Sequence, residues 1–239
     1  MADEMQDGSD IPPRLMAMIR FVQAETQPTV PAYVPEITLR LAADSVPLWE
    51  RIERDPALGG GPPYWALAWP GGLALARHLL DNPAVVAGRR VLDLAAGSGL
   101  VAIAAAKSGA GEVIVNDIDP LAAIAISLNA DANGVALALR ADDLLPAENG
   151  FDFSAVDVVL AGDAFYDHAL APRALAFLER CHAAGCAVLV GDPGRADLPA
   201  DRLKKLSTHA VPVTYACQYV AAGDAADHDL QAAAVWAFA

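Results

Sequence analysis

Basic residues are scarce in this sequence. Lysine and arginine number 16 against 30 aspartate and glutamate residues, so the formal net charge at pH 7 is −14. A surface of that sign repels the phosphate backbone of nucleic acids, and we therefore expect no direct binding of DNA or RNA. The same surface attracts basic proteins and cationic small molecules, although acidity also serves solubility alone. It mildly favours a monomer over self-association.

Cysteine is also rare. The three cysteines, Cys181, Cys186 and Cys217, are odd in number and show no pairing pattern, which fits a reducing compartment. Cys181, His182 and Cys186 lie close enough in sequence to suggest a metal site. A structural zinc site takes four defined ligands, however, and the fourth is missing. We predict no metal centre.

Long uninterrupted apolar runs are missing as well, so the sequence predicts no membrane span. The first ten residues, MADEMQDGSD, are acidic. They lack the basic, apolar and small-residue order of a signal peptide and the arginine-rich character of a transit peptide. We therefore expect a cytoplasmic protein that does not associate with membranes.

The sequence does contain a regular alternation of strands and helices. Apolar residues make up 55% of its 239 residues, enough to build a sizeable core. Apolar strands are predicted at residues 89–96, 112–119, 135–143, 156–163 and 186–193, with helical segments between most of them. Strands that are apolar on both faces and alternate with helices are typical of an α/β fold, in which a mostly parallel sheet is covered by helices on both faces.

The ends of the chain depart from this alternation. Two strands are predicted at residues 211–220 and 232–239, with no helix long enough to fit between them, which indicates an antiparallel hairpin at the sheet edge. We expect residues 1–10 to be disordered. Residues 11–72 are predicted as a helical and strand extension that packs on the core, and residues 73–239 as the core itself, in one structural domain.

A glycine turn follows the first strand of the core. Gly97 and Gly99, with Ala102, fit the dinucleotide pattern G-x-G-x-x-A, in which a helix N-terminus meets a ligand. Asp93 precedes Gly97 by four residues on the strand. A carboxylate there opposes a pyrophosphate but attracts an ammonium group such as that of S-adenosylmethionine. The acid therefore favours S-adenosylmethionine over NAD.

Two further acids follow the next strands. Asp117 closes the second strand, where a carboxylate can bind both ribose hydroxyls of a nucleotide. Asp142 follows the third strand, where a polar side chain reaches the adenine amine, and Asp143 competes for that role. Each feature has a simpler explanation, such as helix capping by Asp119 before Pro120. Together, at the carboxyl ends of successive strands, they favour a nucleotide site.

Two further motifs carry a resemblance to a known family. PPYWALAWPGGLALARHLLDNP, with Trp69 in its WPGG, and GDAFYD, which follows the fourth strand, are similar to segments of the electron-transfer flavoprotein β-subunit lysine methyltransferases. These belong to the class I, seven-strand S-adenosylmethionine-dependent protein lysine methyltransferases, which have a Rossmann-like sheet. The similarity runs from about Val34 to the end of the chain, and these two motifs are more specific than the glycine turn.

The resemblance implies roles for particular residues. Asp163, Phe165 and Tyr166 form the family's D-x-F-Y signature. Asp163 is the expected acceptor that orients the lysine amine, while Phe165 and Tyr166 are expected to line the lysine channel and stabilise the cation through their ring faces. Trp69 is expected to line the methionine or adenine pocket.

The function implied is S-adenosylmethionine-dependent lysine methylation, with S-adenosylhomocysteine as the product and the electron-transfer flavoprotein β subunit as the expected substrate. A ribosomal protein is the alternative substrate. Two further alternatives are an NAD-dependent oxidoreductase, which Asp93 and the lack of a Tyr-x-x-x-Lys pair disfavour, and a non-catalytic S-adenosylmethionine-binding module. Intact Asp93, Asp117 and Asp163 argue against the module.

Overall fold

The computed structural model describes residues 11–59, 61–213 and 230–238. The disorder predicted for residues 1–10 lies outside this part of the chain, as does most of the strand predicted at residues 211–220. The division into an extension and a core stays a prediction.

The sheet has the mixed architecture that the sequence predicts. The strands of the described residues are β1 (Gln27–Thr29), β2 (Leu39–Leu41), β3 (Arg90–Leu94), β4 (Glu112–Asn116), β5 (Ala138–Arg140), β6 (Val158–Gly162), β7 (Ala187–Asp192), β8 (Leu203–Pro212) and β9 (Leu230–Phe238). Seven of them form one sheet in the order β5-β4-β3-β6-β7-β9-β8. The first five strands in this order run parallel, whereas β9 is antiparallel to both of its neighbours. The predicted fold class is confirmed.

Helices cover both faces of this sheet. The α-helices of the described residues are α1 (Pro13–Glu25), α2 (Ser45–Arg54), α3 (Pro70–Asp81), α4 (Leu100–Lys107), α5 (Pro120–Asn133) and α6 (Ala171–Ala183). Along β6, Val158 and Leu160 belong to the apolar cluster formed with α3 and α4, whereas Val159 and Ala161 belong to the cluster formed with α6. Because successive side chains of a strand point to opposite faces, this explains why the core strands read as continuous apolar runs.

The segment before the sheet packs on helix α5. Buried residues of α1 and α2 join Trp65 and the first turns of α5 in a third apolar cluster. The fully buried Asn129 of α5 accepts a hydrogen bond from the Arg40 amide at 2.7 Å and donates one to the Ser98 carbonyl at 2.8 Å. The N-terminal segment is thereby tied to the turn between β3 and α4.

The first strand of the closing hairpin begins earlier than predicted. The hairpin exists, and β8 spans Leu203–Pro212, which shares two residues with the predicted range 211–220; residues 214–220 of that range lie outside the described part of the chain. Strand β8 lies at the sheet edge and most of its residues are exposed or half-buried, with charged Lys204 and Lys205 near its start. Charge on an edge strand discourages pairing with other chains. The same charged residues interrupt the apolar pattern that would predict a strand here.

None of the helices in the described ranges is both long and apolar enough to cross a membrane.

Candidate active site

A cavity of about 600 Å³ opens at the carboxyl ends of β3, β4 and β6. Its walls come from the loops that follow these strands and from residues 61–72, which precede and begin helix α3. In parallel sheets ligands bind at this edge, because the loops there meet at the point where the strand order reverses. The reversal here lies between β3 and β6.

The glycine turn has the backbone that glycine favours. Gly97 and Gly99 have φ values of 54° and 78°, in the left-handed region. Gly99 directly precedes α4, and a side chain there would come within 3.2 Å of Ile126. The amide of Gly97 donates a hydrogen bond to Asp117 Oδ2 at 2.8 Å. Gly97 therefore lines the cavity, where Asp117 accepts its amide, and Gly99 begins the helix behind it.

Asp93 lies in the cavity wall with only 1% of its surface exposed. Its Oδ2 accepts a hydrogen bond from the Ala102 amide in the first turn of α4 at 2.9 Å, and no other hydrogen bond to its side chain is recorded within the described part of the chain. Burial raises the pKa of Asp93 to about 8. A cation bound beside Asp93 would therefore favour the loss of its proton.

Asp117 also lines the cavity, at the end of β4. Besides the Gly97 amide, its carboxylate accepts the Asp119 amide at 3.0 Å, and burial raises its pKa above the ordinary value. Asp119 accepts the Leu121 amide at 2.8 Å and caps helix α5. Capping thus belongs to Asp119, which leaves Asp117 at the cavity.

The structure places Asp143, rather than Asp142, in the cavity wall. Asp142 is not among the lining residues, and its carboxylate is paired with Arg140 at 2.6 Å on the protein surface. Arg140 lowers the pKa of Asp142 by this pairing. Asp143 pairs with Arg173, which lines the cavity too. The adenine contact expected of Asp142 stays a prediction, and Asp143, its competitor, is the one of the two that lines the cavity.

Asp163 lies directly after β6 in a conformation that is uncommon outside glycine, with φ at 56°. Its Oδ2 accepts the Gly72 amide of helix α3 at 2.6 Å, and its Oδ1 accepts Arg195 Nη1 at 2.7 Å. Burial raises the pKa of Asp163, and the Arg195 guanidinium opposes that shift. Because every recorded partner is a donor, the geometry fits the ionised carboxylate.

The first turn of α3 reaches Asp163 because two glycines let it approach the sheet. A Cβ on Gly71 would lie 2.2 Å from the Gly191 carbonyl oxygen of β7, and one on Gly191 would lie 2.1 Å from the Gly71 carbonyl oxygen. Strand β7 is paired with β6 at this point, through Gly162 and Gly191. The WPGG motif therefore serves contact between backbones, which brings the helix N-terminus to Asp163.

The two aromatic residues of D-x-F-Y lie in different places. Tyr166 lines the cavity and is 46% exposed, and its ring centroid is 4.9 Å from that of Tyr64, which is 5.6 Å from that of Trp69. These three rings, Tyr64, Trp69 and Tyr166, form an aromatic wall. Phe165 is 1% exposed and packs in the α6 cluster, away from the lining residues. The structure thus places Phe165 in the core, and the role in the lysine channel that the resemblance implies for it stays a prediction.

The comparisons with known proteins agree with this geometry. The family model of Ribosomal protein L11 methyltransferase (PrmA) matches residues 74–162. The chain is 45% identical over 174 residues to the electron transfer flavoprotein beta subunit lysine methyltransferase of Danio rerio, covering 72% of this chain and 65% of that protein. It is 42% identical over 192 residues to the protein of the same name from Mus musculus, covering 79% of this chain and 71% of that protein. The chain belongs to the electron transfer flavoprotein beta subunit lysine methyltransferase family. The resemblance that the motifs indicated is confirmed.

Family membership covers most but not all of the relatives' length. The chain spans less than two thirds of the Danio rerio protein. Among solved structures, TrmN from Thermus thermophilus matches with a TM-score of 0.51 at 22% identity, covering 74% of this chain and 52% of that one. At that identity the likeness concerns the fold alone.

Arg195 and Asp192 were not predicted as site residues. Arg195 lines the cavity and pairs with both Asp163 and the fully buried Asp192. The GDPGR stretch after β7 was the available signal, since an acid and an arginine at a strand end resemble the other site positions. His168, in contrast, is 94% exposed in its side chain and pairs with Asp197 on the surface.

Proposed function

We propose that this protein is an S-adenosylmethionine-dependent protein lysine methyltransferase that acts on the electron-transfer flavoprotein β subunit. One observation carries the proposal. A single cavity holds two acids at the glycine turn, the buried Asp93 and the half-buried Asp117, and a third, Asp163, beside the aromatic wall. The first pair suits a nucleotide cofactor with an ammonium group, and the third acid suits a cationic acceptor. The substrate is proposed from the names of the relatives.

The residues present fit the cofactor. Asp93 is a buried carboxyl with one recorded donor, so an ammonium group of the methionine end would supply the counter-charge that burial denies it. Asp117 would accept the ribose hydroxyls, Gly97 and Gly99 let the backbone approach, and Asp143 lies where it would reach the adenine. Once bound, S-adenosylmethionine supplies an electrophilic methyl group, and S-adenosylhomocysteine is the product.

The part of the cavity at Asp163 and the aromatic wall must bind the lysine that accepts the methyl group. A lysine amine, whose ordinary pKa is about 10.4, is almost entirely charged at pH 7, so the protein must bind the ammonium, let it lose a proton and aim the lone pair. Asp163 would bind and orient the amine by accepting its N–H. The aromatic wall would stabilise the cation through its ring faces, an attraction that persists after methylation.

The proposed protein substrate is supported by the net charge of this chain and by its family. A net charge of −14 favours a basic recognition surface on a protein substrate and disfavours nucleic acid. A ribosomal protein is the second candidate substrate, because the matching family model carries that name. A cytoplasmic location and a monomeric state remain proposals from the sequence.

The experiment is methyl transfer from radiolabelled S-adenosylmethionine in a bacterial lysate, with and without added flavoprotein β subunit, followed by peptide mass spectrometry. We expect label on lysines of the β subunit. Label confined to a ribosomal protein would replace the substrate, and no label on any protein despite cofactor binding would refute the enzymatic function.

The affinity for the cofactor product should depend on pH. Because burial raises the pKa of Asp93 to about 8, the carboxyl is mostly protonated at pH 6 and must lose its proton to pair with an ammonium group. We therefore expect S-adenosylhomocysteine to bind about tenfold more weakly per pH unit below 8. Calorimetry at pH 6, 7 and 8, in buffers that differ in ionisation enthalpy, would measure affinity and proton release together.

The matched variant is Asp93→Asn, which keeps the shape of the side chain and removes its titration. We expect weaker binding with little pH dependence, any remainder belonging to Asp117 and to Asp119, whose pKa burial raises to about 6. Wild-type affinity that is equal at pH 6 and pH 8 would contradict the role of Asp93.

A further inference from the structure

An arginine joins two carboxylates beside the acceptor end of the cavity. Asp163 follows β6 and Asp192 ends β7, the neighbouring strand. One nitrogen, Arg195 Nη1, donates to Asp163 Oδ1 at 2.7 Å and to Asp192 Oδ2 at 2.9 Å. The three side chains therefore form one network, in which Arg195 is the connection between the two acids.

The network is largely shielded from water. Asp192 is fully buried, the side chain of Asp163 is 9% exposed and that of Arg195 is 22% exposed. Asp192 Oδ1 also accepts the amides of Gly194 and Arg195 at 2.7 and 2.8 Å. The turn that carries Arg195 is thus fixed by the same carboxylate that its guanidinium contacts.

The charges around Asp163 are few. Helix α3 contributes only the backbone amides of its first turn, and the guanidinium of Arg195 is the full positive charge paired with it among the residues described. Asp192 faces it across that guanidinium, and Tyr166 and Asp93 lie on other walls of the cavity. Two carboxylates and one guanidinium leave one negative charge, which an ammonium group would balance.

We propose that Arg195 is a positioning residue for methyl transfer, which acts through Asp163. It holds that carboxylate ionised and fixed between helix α3 and Asp192, so that one lone pair stays directed at the acceptor amine. This inference rests on the proposed function. Arg195 itself need not touch the lysine, because its contacts are with the two acids.

Removing the guanidinium should change the rate more than the binding. Without Arg195, Asp163 lies beside the buried Asp192 with no cation between them, and Asp163 takes up a proton more readily because Arg195 no longer opposes the rise in its pKa that burial causes. The net charge of the pair then stays near −1, so attraction for an ammonium group is kept. Asp163, however, is protonated part of the time and has lost one of its two anchors.

The test compares Arg195→Met with Arg195→Lys. We expect the methionine variant to lower kcat at pH 7 about tenfold or more, and to move the acidic limb of the kcat–pH profile upward by about one pH unit or more. KM for the protein substrate should change less than kcat, and the Kd of S-adenosylhomocysteine should stay within about twofold. Lysine should restore part of the rate, because one nitrogen is enough to bridge the two acids.

The matched control is Arg77→Met. Arg77 also bridges two carboxylates, Glu36 and Asp81, its side chain is 19% exposed, and it lies away from the cavity. We expect its kcat–pH profile to match the wild type. A profile for Arg195→Met that also matches the wild type, or a loss of rate shared equally by both methionine variants, would overturn the proposal.

A second measurement does not need the reaction. Carbon NMR of protein labelled at aspartate carboxyls, with Asp163 assigned through Asp163→Asn, would follow its titration directly. We expect the midpoint to rise by about one pH unit or more in Arg195→Met, and an unchanged midpoint refutes the positioning role. If the wild-type protein methylates nothing, the proposed function fails, while this titration still decides whether Arg195 controls Asp163.

Discussion

Replacing Gly71 with alanine is expected to lower the free energy of unfolding by about 3 kcal/mol or more and the melting temperature by about 6–12 °C. The added Cβ would lie 2.2 Å from the Gly191 carbonyl oxygen and 2.8 Å from Asp163 Oδ2. The first of these atoms belongs to the backbone of a central strand, so it cannot rotate away as a flexible side chain would. Helix α3 would have to move off the sheet, and Asp163 would lose its hydrogen bond from the Gly72 amide. Thermal and urea unfolding would measure the change.

The neighbouring glycine provides the control. A Cβ on Gly72 would meet its nearest atom, Asp163 Oδ2, at 3.7 Å, which is ordinary contact. Because alanine restricts the unfolded chain more than glycine does, Gly72→Ala should leave stability unchanged or raise it by up to about 1 kcal/mol. Equal melting temperatures for the two variants would show that the approach of α3 to β7 is not as close as described.

The architecture followed from the sequence because the central strands carry apolar residues on both faces. Strand β6 is the clearest case, since each of its first four residues is buried in one of two opposite clusters. Such runs, separated by helices that end at glycines, leave few folds other than a parallel sheet between helical layers.

Strand β8 could not be found in the same way. It joins the sheet by pairing with β9 through nine of its ten residues, with a register irregularity between Lys205 and Ser207, and not by burying an apolar face. Pairing of this kind depends on a partner that is distant in sequence, so local composition carries little information about it.

The positions of the acids proposed to bind the cofactor could be predicted, because each acid stands at or just after the end of its strand. Asp93 and Asp117 lie in the cavity as the spacing indicated. Asp142 and Asp143 are adjacent and each pairs with an arginine, Arg140 and Arg173 respectively, yet only Asp143 lines the cavity. Side-chain direction at that point is a tertiary property.

The acceptor side was less predictable for a similar reason. Phe165 and Tyr166 are adjacent aromatic residues, and the fold buries one while exposing the other. Asp163 and Arg195 are 32 residues apart in sequence, and the contact between them exists because β6 and β7 are neighbours in the sheet. Their pairing changes the interpretation of Asp163, which is an anchored carboxylate as well as a group that faces the cavity.

Replacing Asp163 with asparagine is expected to lower kcat about 100-fold or more while S-adenosylhomocysteine binding stays within about twofold. Asparagine tolerates the positive φ of this position, so the backbone should be kept. The amide, however, offers one acceptor and one donor where the carboxylate accepts from Gly72 and Arg195 on its two oxygens. One contact becomes repulsive, and the negative charge that would attract and orient a lysine ammonium is lost. Single-turnover methyl transfer, with calorimetry for binding, separates the two effects.

Asp157→Asn is the control, because Asp157 precedes the strand that Asp163 follows. Its carboxylate also accepts from an arginine, Arg90, but at the amino end of β6, where it is half-buried and outside the cavity lining. Loss of its charge should leave the rate of methyl transfer unchanged, which would tie the effect at Asp163 to its place at the carboxyl end of the strand. If Asp163→Asn transferred methyl groups at the wild-type rate, another group of the cavity would orient the lysine amine. If both variants lost the same fraction of the rate, the effect would come only from a less stable β6. A loss confined to Asp163, with binding retained, would mean that this buried acid contributes to the reaction through its charge.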